Sequence, residues 1–215
     1  LTLRVKSPLA FDLSSSFEST GRFVLVDEYD ISGGGIITEL VHDEQEGLRE
    51  EARQREYAWL TGDVRPEDRA LQYGHRAAIV LFTGSAQTGK TFLARRVEAL
   101  LVADSRHAYL LEGENLLQGL DADLSAADPS FASERVRRYG EVARLLIDTG
   151  LIVVSTSKTF GINYQRMAEM IRTLVQPAPV IAVHMSRAGE EPPPNTDLHF
   201  AGPQDFDAAA KSLKN

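Results

Sequence analysis

The chain has 215 residues, 43% of them hydrophobic and 25% charged, with a formal net charge of −8. That is the profile of a globular protein with one full domain and an appendage, and its acidic balance argues against nucleic acid or an anionic membrane as the main partner. Cysteine is absent, which excludes disulfides and thiolate metal sites and reads most naturally as a cytoplasmic protein; no apolar run nears the ~20 residues that span a bilayer.

The chain opens on Leu1 rather than Met and shows no signal-peptide pattern, which reads as a piece of something longer. A first region, 1–41, is rich in β-branched and alternating residues. Leu1–Val5, Arg22–Glu28 and Gly35–Val41 read as strands, separated by the Ser-rich DLSSSFESTG and by DISGGG, read as a turn. Two or three strands alone bury little, so this region is either the end of a β-barrel or an arm that pairs with something else. The second region, 42–65, is dense in alternating charge, and His42–Leu60 reads as a solvated linker helix on which Trp59 serves as a packing anchor.

The third region, 66–215, alternates strand-like and helix-like segments. Pro66 suits a helix start. Strands are expected in AAIVLF, HAYLLEGEN, GLIVVSTS, APVIAVHMS and DLHFAG. Helices are expected over Lys90–Ala103, Ser133–Thr149, Tyr164–Val175 and PQDFDAAAKSLK. In Ser133–Thr149, Val136, Val142, Leu145 and Leu146 can share one face. Continuous apolar strands alternating with helices imply an α/β fold: a parallel five-stranded sheet covered by helices on both faces, beside a small N-terminal β segment.

Between the first of these strands and its helix lies Gly84-Ser85-Ala86-Gln87-Thr88-Gly89-Lys90-Thr91, which fits G-x-x-x-x-G-K-[ST] at every fixed position. Its glycines let successive backbone N–H groups point at oxyanions, and the helix that follows adds its N-terminal partial positive charge. Lys90 would reach the β- and γ-phosphates of a nucleotide such as ATP, and the Thr91 hydroxyl would ligate Mg²⁺. Thr88, β-branched, narrows the loop's conformational choice.

Glu112 and Glu114 follow the second strand, at the sheet edge where α/β ligands bind. On an extended segment they would share a side, able either to organise hydrated Mg²⁺ or to act as base toward a hydroxyl. Lys158 and Arg166 are expected near the same edge. His107 and His184 have no metal-site spacing, and each reads as a satisfied core or edge histidine.

GHRAAIVLFTGSAQTGKT, YLLEGENLLQGLDADL, RVRRYGEVARLLIDTGLIVV and DLHFAG together resemble adenylylsulfate kinase (APS kinase), from about Pro66 onward. GRFVLVDEYDISGGGII is similar to the tail of the last, elongation-factor-like barrel of the sulfate adenylyltransferase GTPase subunit, and fused chains of that type have this order. The resemblance implies a P-loop kinase-like fold and transfer of phosphate from ATP to the 3′-hydroxyl of adenylylsulfate, giving PAPS. It also implies a place in sulfate assimilation beside sulfate adenylyltransferase subunits, and a homodimer.

Departures from the family pattern accompany it. D-G-D-N-x-R-x-G-L stands here as Glu112 to Leu120, with Leu117 for the Arg. R-x-x-N-I-R-R aligns with Ala132 to Arg138, with Arg135 for the Asn. S-F-I-S-P-Y is replaced by Thr156 to Gly161, and Ser186–Asn195 is too short for the family's basic lid. Arg135, Arg137 and Arg138 are candidates to replace the lost arginines, although solvated positions on the helix are the favoured reading of them. Three classes follow: a kinase with Glu112 as base or metal organiser, a catalytically degenerate ATP- or ADP-binding regulatory module, and a purely structural domain. The intact loop speaks against the third and the departures against the first, so the expectation is nucleotide binding with weak or absent phosphoryl transfer.

Overall fold

The computed structural model describes residues 9–27, 29–39, 47, 50, 52, 54, 58–60, 62–158, 163–201 and 205–214. The chain divides into two compact units, Leu1–Glu46 and Gly47–Asn215. Among the described residues, no helix is long and apolar enough to cross a membrane.

The first unit is an antiparallel hairpin, β1 (Arg22–Asp27) with β2 (Asp30–Ile36). The expected strand Leu1–Val5 lies outside the described residues. DISGGG, expected as a turn, is most of strand β2, and the strand expected at Gly35–Val41 is realised only at Gly35 and Ile36; Leu40 and Val41 lie outside the described residues. The partner strand explains this correction. Phe23 stands opposite Gly35, and a Cβ on Gly35 would come within 2.8 Å of its ring. An aromatic ring covers a glycine backbone that has no side chain of its own, which rescues a poor strand former. The register slips between Leu25 and Val26, as a bulge does. Val24, Val26, Tyr29 and Ile31 remain exposed.

In the second unit, Gly47, Glu50, Ala52, Gln54 and Ala58 of the linker helix expected at His42–Leu60 are helical, whereas Trp59 and Leu60 lie beyond its end. Helix α1 (Pro66–Tyr73) follows, with proline in its first turn. A five-stranded parallel sheet forms next: β3 (Ala78–Gly84), β4 (Ala108–Leu110), β5 (Ile152–Thr156), β6 (Val180–Ser186) and β7 (Leu198–Ala201), in the order β4-β5-β3-β6-β7. Between and after the strands run α2 (Lys90–Ala103), α3 (Phe131–Asp148), α4 (Tyr164–Val175) and α5 (Phe206–Lys214).

Strand periodicity of two sends alternate residues of β3 to opposite faces. Ile79 and Leu81 join Val136, Tyr139, Ala143, Met167, Ile171 and Leu174 of α3 and α4. Val80 and Phe82 join Leu93, Val97, Leu101, Ala209 and Ala210 of α2 and α5. This is the three-layer α/β architecture expected from the sequence. Gly140 lets α3 and α4 approach closely, since a Cβ there would stand 2.4 Å from Leu174. Leu145, expected to share one face of α3 with Val136, is 58% exposed, whereas Val136 is buried. The face is turned instead through Arg135, Val136, Tyr139, Gly140, Ala143 and Arg144. Arg144 keeps its guanidinium satisfied there by lying over the Trp59 ring, 5.2 Å from its centroid, and donating to the carbonyl of Gln176.

Candidate functional site

The loop Gly84–Thr91 sits at the C-terminal end of the central strand β3 and runs straight into α2. Gly84 has φ +116°, and a Cβ there would stand 1.9 Å from the Met185 carbonyl oxygen; only glycine lets β3 end so close to β6. Gly89 has φ +86° at the N-cap of α2, and Gln87 is also left-handed at φ 62°. Ala86 and Gln87 form the exposed tip. The Thr88 hydroxyl donates to the Ser85 carbonyl at 2.9 Å, which braces the turn.

Lys90 is 8% exposed and lies back across the loop, where its ammonium donates to the carbonyls of Gly84, at 3.0 Å, and Ser85. Burial lowers its pKa from the ordinary lysine value. Its partners are neutral carbonyls, so the charge is held without a counter-ion among the bonds it makes. Thr91 is half-buried in the first turn of α2.

Glu190, on the segment after β6, meets the loop from outside. Its carboxylate accepts from the Ser85 hydroxyl at 2.6 Å and from the Arg187 backbone N–H at 3.0 Å. These bonds, Ser85 first, hold its pKa below the usual value. Beneath, His184 is 3% exposed and shares a 3.1 Å hydrogen bond with Thr83. Burial, then His199, then Lys90 lower its pKa. It is a satisfied core histidine, within the core-or-edge reading expected of it. His107 is an edge residue whose backbone N–H donates to His75 Nε2 at 3.0 Å.

The two carboxylates after the second strand part company. β4 ends at Leu110, and a 3-10 turn, Gly113–Leu116, follows. Glu112 and Glu114 therefore do not share one side of an extended segment, because the chain coils between them. Glu112 turns inward and accepts from the Thr156 hydroxyl at 2.9 Å. Its other oxygen, Oε1, is buried without a hydrogen-bond partner. Glu114 is half-exposed and pairs with Lys158 at 3.1 Å. An orphaned buried carboxylate oxygen is a donor atom ready for a hydrated divalent cation or a proton. Together with the Thr91 hydroxyl it makes the residue types present fit Mg²⁺.

Of the three candidate arginines of α3, Arg135 is buried while Arg137 and Arg138 stay partly exposed, as solvated positions would, and all three are paired. Arg135 and Asp121 are each 3% exposed; Arg135 Nε donates to Asp121 at 3.2 Å, and Nη2 to the Gly113 carbonyl at 3.4 Å. Arg137 and Arg138 both grip Glu134, at 2.7 and 2.8 Å, and Arg138 also holds Asp123 at 2.9 Å. The bonds from Arg137, then Arg138, bring the Glu134 pKa down to about 2. Sequence reading missed these partners, along with Thr156 and Glu190. The one available signal was the surplus of acids, Asp121, Asp123 and Glu134, around the arginines. Arg166 has an interaction partner. Thr159, Phe160 and Gly161 lie outside the described residues.

Residues 76–192 match the family model for adenylylsulphate kinase. The adenylyl-sulfate kinase of Shewanella amazonensis is 38% identical over 128 residues, which is 60% of this chain and 63% of that protein. The bifunctional enzyme NodQ of Rhizobium sp. (strain N33) is 32% identical over 191 residues, 88% of this chain and 27% of that protein. The chain thus spans well under two-thirds of the bifunctional relative and just under two-thirds of the shorter one. Among solved structures, the Mycobacterium tuberculosis APS kinase CysC Cys556Ala mutant is 29% identical with TM-score 0.56, over 64% of this chain and 94% of that one. CysC in complex with AMPPNP and APS is alike in fold, at 24% identity and TM-score 0.54, over 64% of this chain and 95% of that one.

Proposed function

The chain belongs to the adenylylsulphate kinase family, and from that premise we propose that it binds ATP at Gly84–Thr91 and phosphorylates the 3′-hydroxyl of adenylylsulfate slowly, within sulfate activation. The observation that carries this reading is the loop itself. Its glycines occupy backbone positions closed to other residues, and the buried ammonium of Lys90 is held by neutral carbonyls that an incoming phosphate can replace.

In this reading the loop amides and the α2 N-terminus hold the β- and γ-phosphates, and Lys90 moves from the Gly84 and Ser85 carbonyls onto them. Thr91 and Glu112 would hold Mg²⁺, which when bound supplies positive charge to the phosphate oxygens. Glu112, set by Thr156, takes the proton of the acceptor hydroxyl as its oxygen bonds to the γ-phosphorus and the bond to the leaving ADP breaks. An arginine at the transferring group is worth ~10³–10⁵ in rate. Arg135, Arg137 and Arg138 are committed to Asp121, Glu134 and Asp123, so none of these three makes that contribution.

The same pairing supports a second reading, a regulatory domain that holds ATP or ADP without turnover beside sulfate adenylyltransferase subunits. For the whole chain, the proposed organisation is an elongation-factor-like barrel tail at 1–41, a linker at 42–65 and the kinase-like domain at 66–215, in a cytoplasmic homodimer. The alignment with NodQ supports the fusion. It covers 191 residues, longer than Gly47–Asn215, and therefore enters the hairpin unit.

The test mixes purified protein with ATP, Mg²⁺ and adenylylsulfate and follows ADP, with Lys90→Ala as control. Lys90-dependent ADP formation below the ~1–100 s⁻¹ of ordinary kinases supports the first reading. Thermal stabilisation by ATP without turnover selects the second. No response to any nucleotide overturns both.

A further inference from the structure

We propose that Phe92 and Phe206 form a stacking platform for the base of the nucleotide whose phosphates the Gly84–Thr91 loop holds; this rests on the nucleotide-binding reading above. Phe92 lies in the first turn of α2, two residues past Lys90. The buried residues of that helix (Lys90, Leu93, Ala94, Val97 and Leu101) face inward, while Phe92 is 60% exposed. A helical side chain leans toward its own N-terminus, so the Phe92 ring covers the end of the loop rather than the helix beyond it.

Its neighbour is Phe206, the first residue of α5, with ring centroids 5.1 Å apart and planes inclined by 54°. Phe206 is itself seated on the loop, since a Cβ on Gly89 would stand 2.3 Å from its ring. The aromatic pair is therefore continuous with the phosphate cradle. It is also fixed in place. Arg96, one turn beyond Phe92, pairs with Asp207 at 2.6 Å, and Asp205 caps α5 by accepting from the Asp207 and Ala208 N–H groups at 3.0 and 3.2 Å. A tilted aromatic pair leaves a ring face open to a third ring, and a platform held in advance loses little freedom on binding. Stacking of this kind recognises the π-face of a base and gives affinity that inorganic polyphosphate cannot gain.

The experiment compares ATP with inorganic tripolyphosphate by calorimetry on the full chain, as wild type, Phe92→Ala and Phe92→Trp. Thermal unfolding serves as the control for folding, which the exposed position of Phe92 protects. Phe92→Ala is expected to weaken ATP about tenfold and to leave tripolyphosphate unchanged. Phe92→Trp is expected to keep ATP affinity and to add fluorescence, over the Trp59 background, that ATP quenches and tripolyphosphate does not. An equal loss for both ligands, or no loss for ATP, overturns the platform. So does a wild type that binds tripolyphosphate as tightly as ATP, which leaves the phosphate-loop reading standing. A wild type that binds neither overturns that reading and the platform with it.

Discussion

Positive charge is handled in opposite ways in the loop and on α3. In the loop, Lys90 is buried against neutral carbonyls, and its charge is available to a phosphate that displaces them. On α3, Arg135, Arg137 and Arg138 each meet a carboxylate, and their charge is spent within the fold. A cation held by dipoles is poised for a ligand, whereas a cation held by an anion is part of the scaffold. The difference teaches that a count of basic residues near a sheet edge says little about anion binding until their partners are known.

The largest expected effect is on the spent side. Asp121→Ala leaves Arg135 buried without its carboxylate and is expected to cost about 3–5 kcal/mol in urea unfolding, while the double variant Asp121→Leu/Arg135→Met recovers most of it. A cost below ~1 kcal/mol would break the claim that this arginine is scaffold. On the poised side, Lys90→Ala is expected to reduce ATP affinity ~10–100-fold, as loss of hydrogen bonds to a charged group does. Stability without nucleotide should hardly change, because a desolvated charge is removed along with its bonds.

Acid sharpens the contrast. The Glu134 pKa falls from its ordinary 4.5 to about 2 on folding, through Arg137 first and then Arg138. A pKa depressed in the folded state contributes stability that is complete above the unfolded value and is lost as pH drops through the folded one. The stability difference between wild type and Glu134→Gln should therefore shrink from about pH 4.5 down to about pH 2. A difference constant across that window would remove Glu134 from the account. The smallest effect is at Glu190, whose exposed carboxylate touches Ser85 of the loop. Glu190→Gln keeps the acceptor and deletes the charge, and is expected to raise ATP affinity ~3-fold, less at high salt. Glu191→Gln, beside it, is the control.

Much of this was legible in the residues, for identifiable reasons. Helices α2 and α4 have the bounds expected from the sequence, and the parallel sheet follows from continuous apolar strands. The Gly84–Thr91 loop is local chemistry, and its glycine positions are visible as letters. The misreadings share one feature, a distant partner. DISGGG becomes strand because Phe23 covers Gly35. Glu112 and Glu114 part at a 3-10 turn, and Thr156 takes one while Lys158 takes the other. Leu145 is exposed while Arg135 is buried, the reverse of hydropathy, because Asp121 and the Gly113 carbonyl wait for the guanidinium.

The sequence by itself determined the α/β layering and the phosphate-type loop, since both are written in backbone preferences and short-range periodicity. Only the tertiary structure decided which charges remain for a ligand and that Phe92 meets Phe206 at the loop's edge. Those outcomes depend on contacts between residues far apart in the chain, and pair energies at that range leave no trace in local pattern.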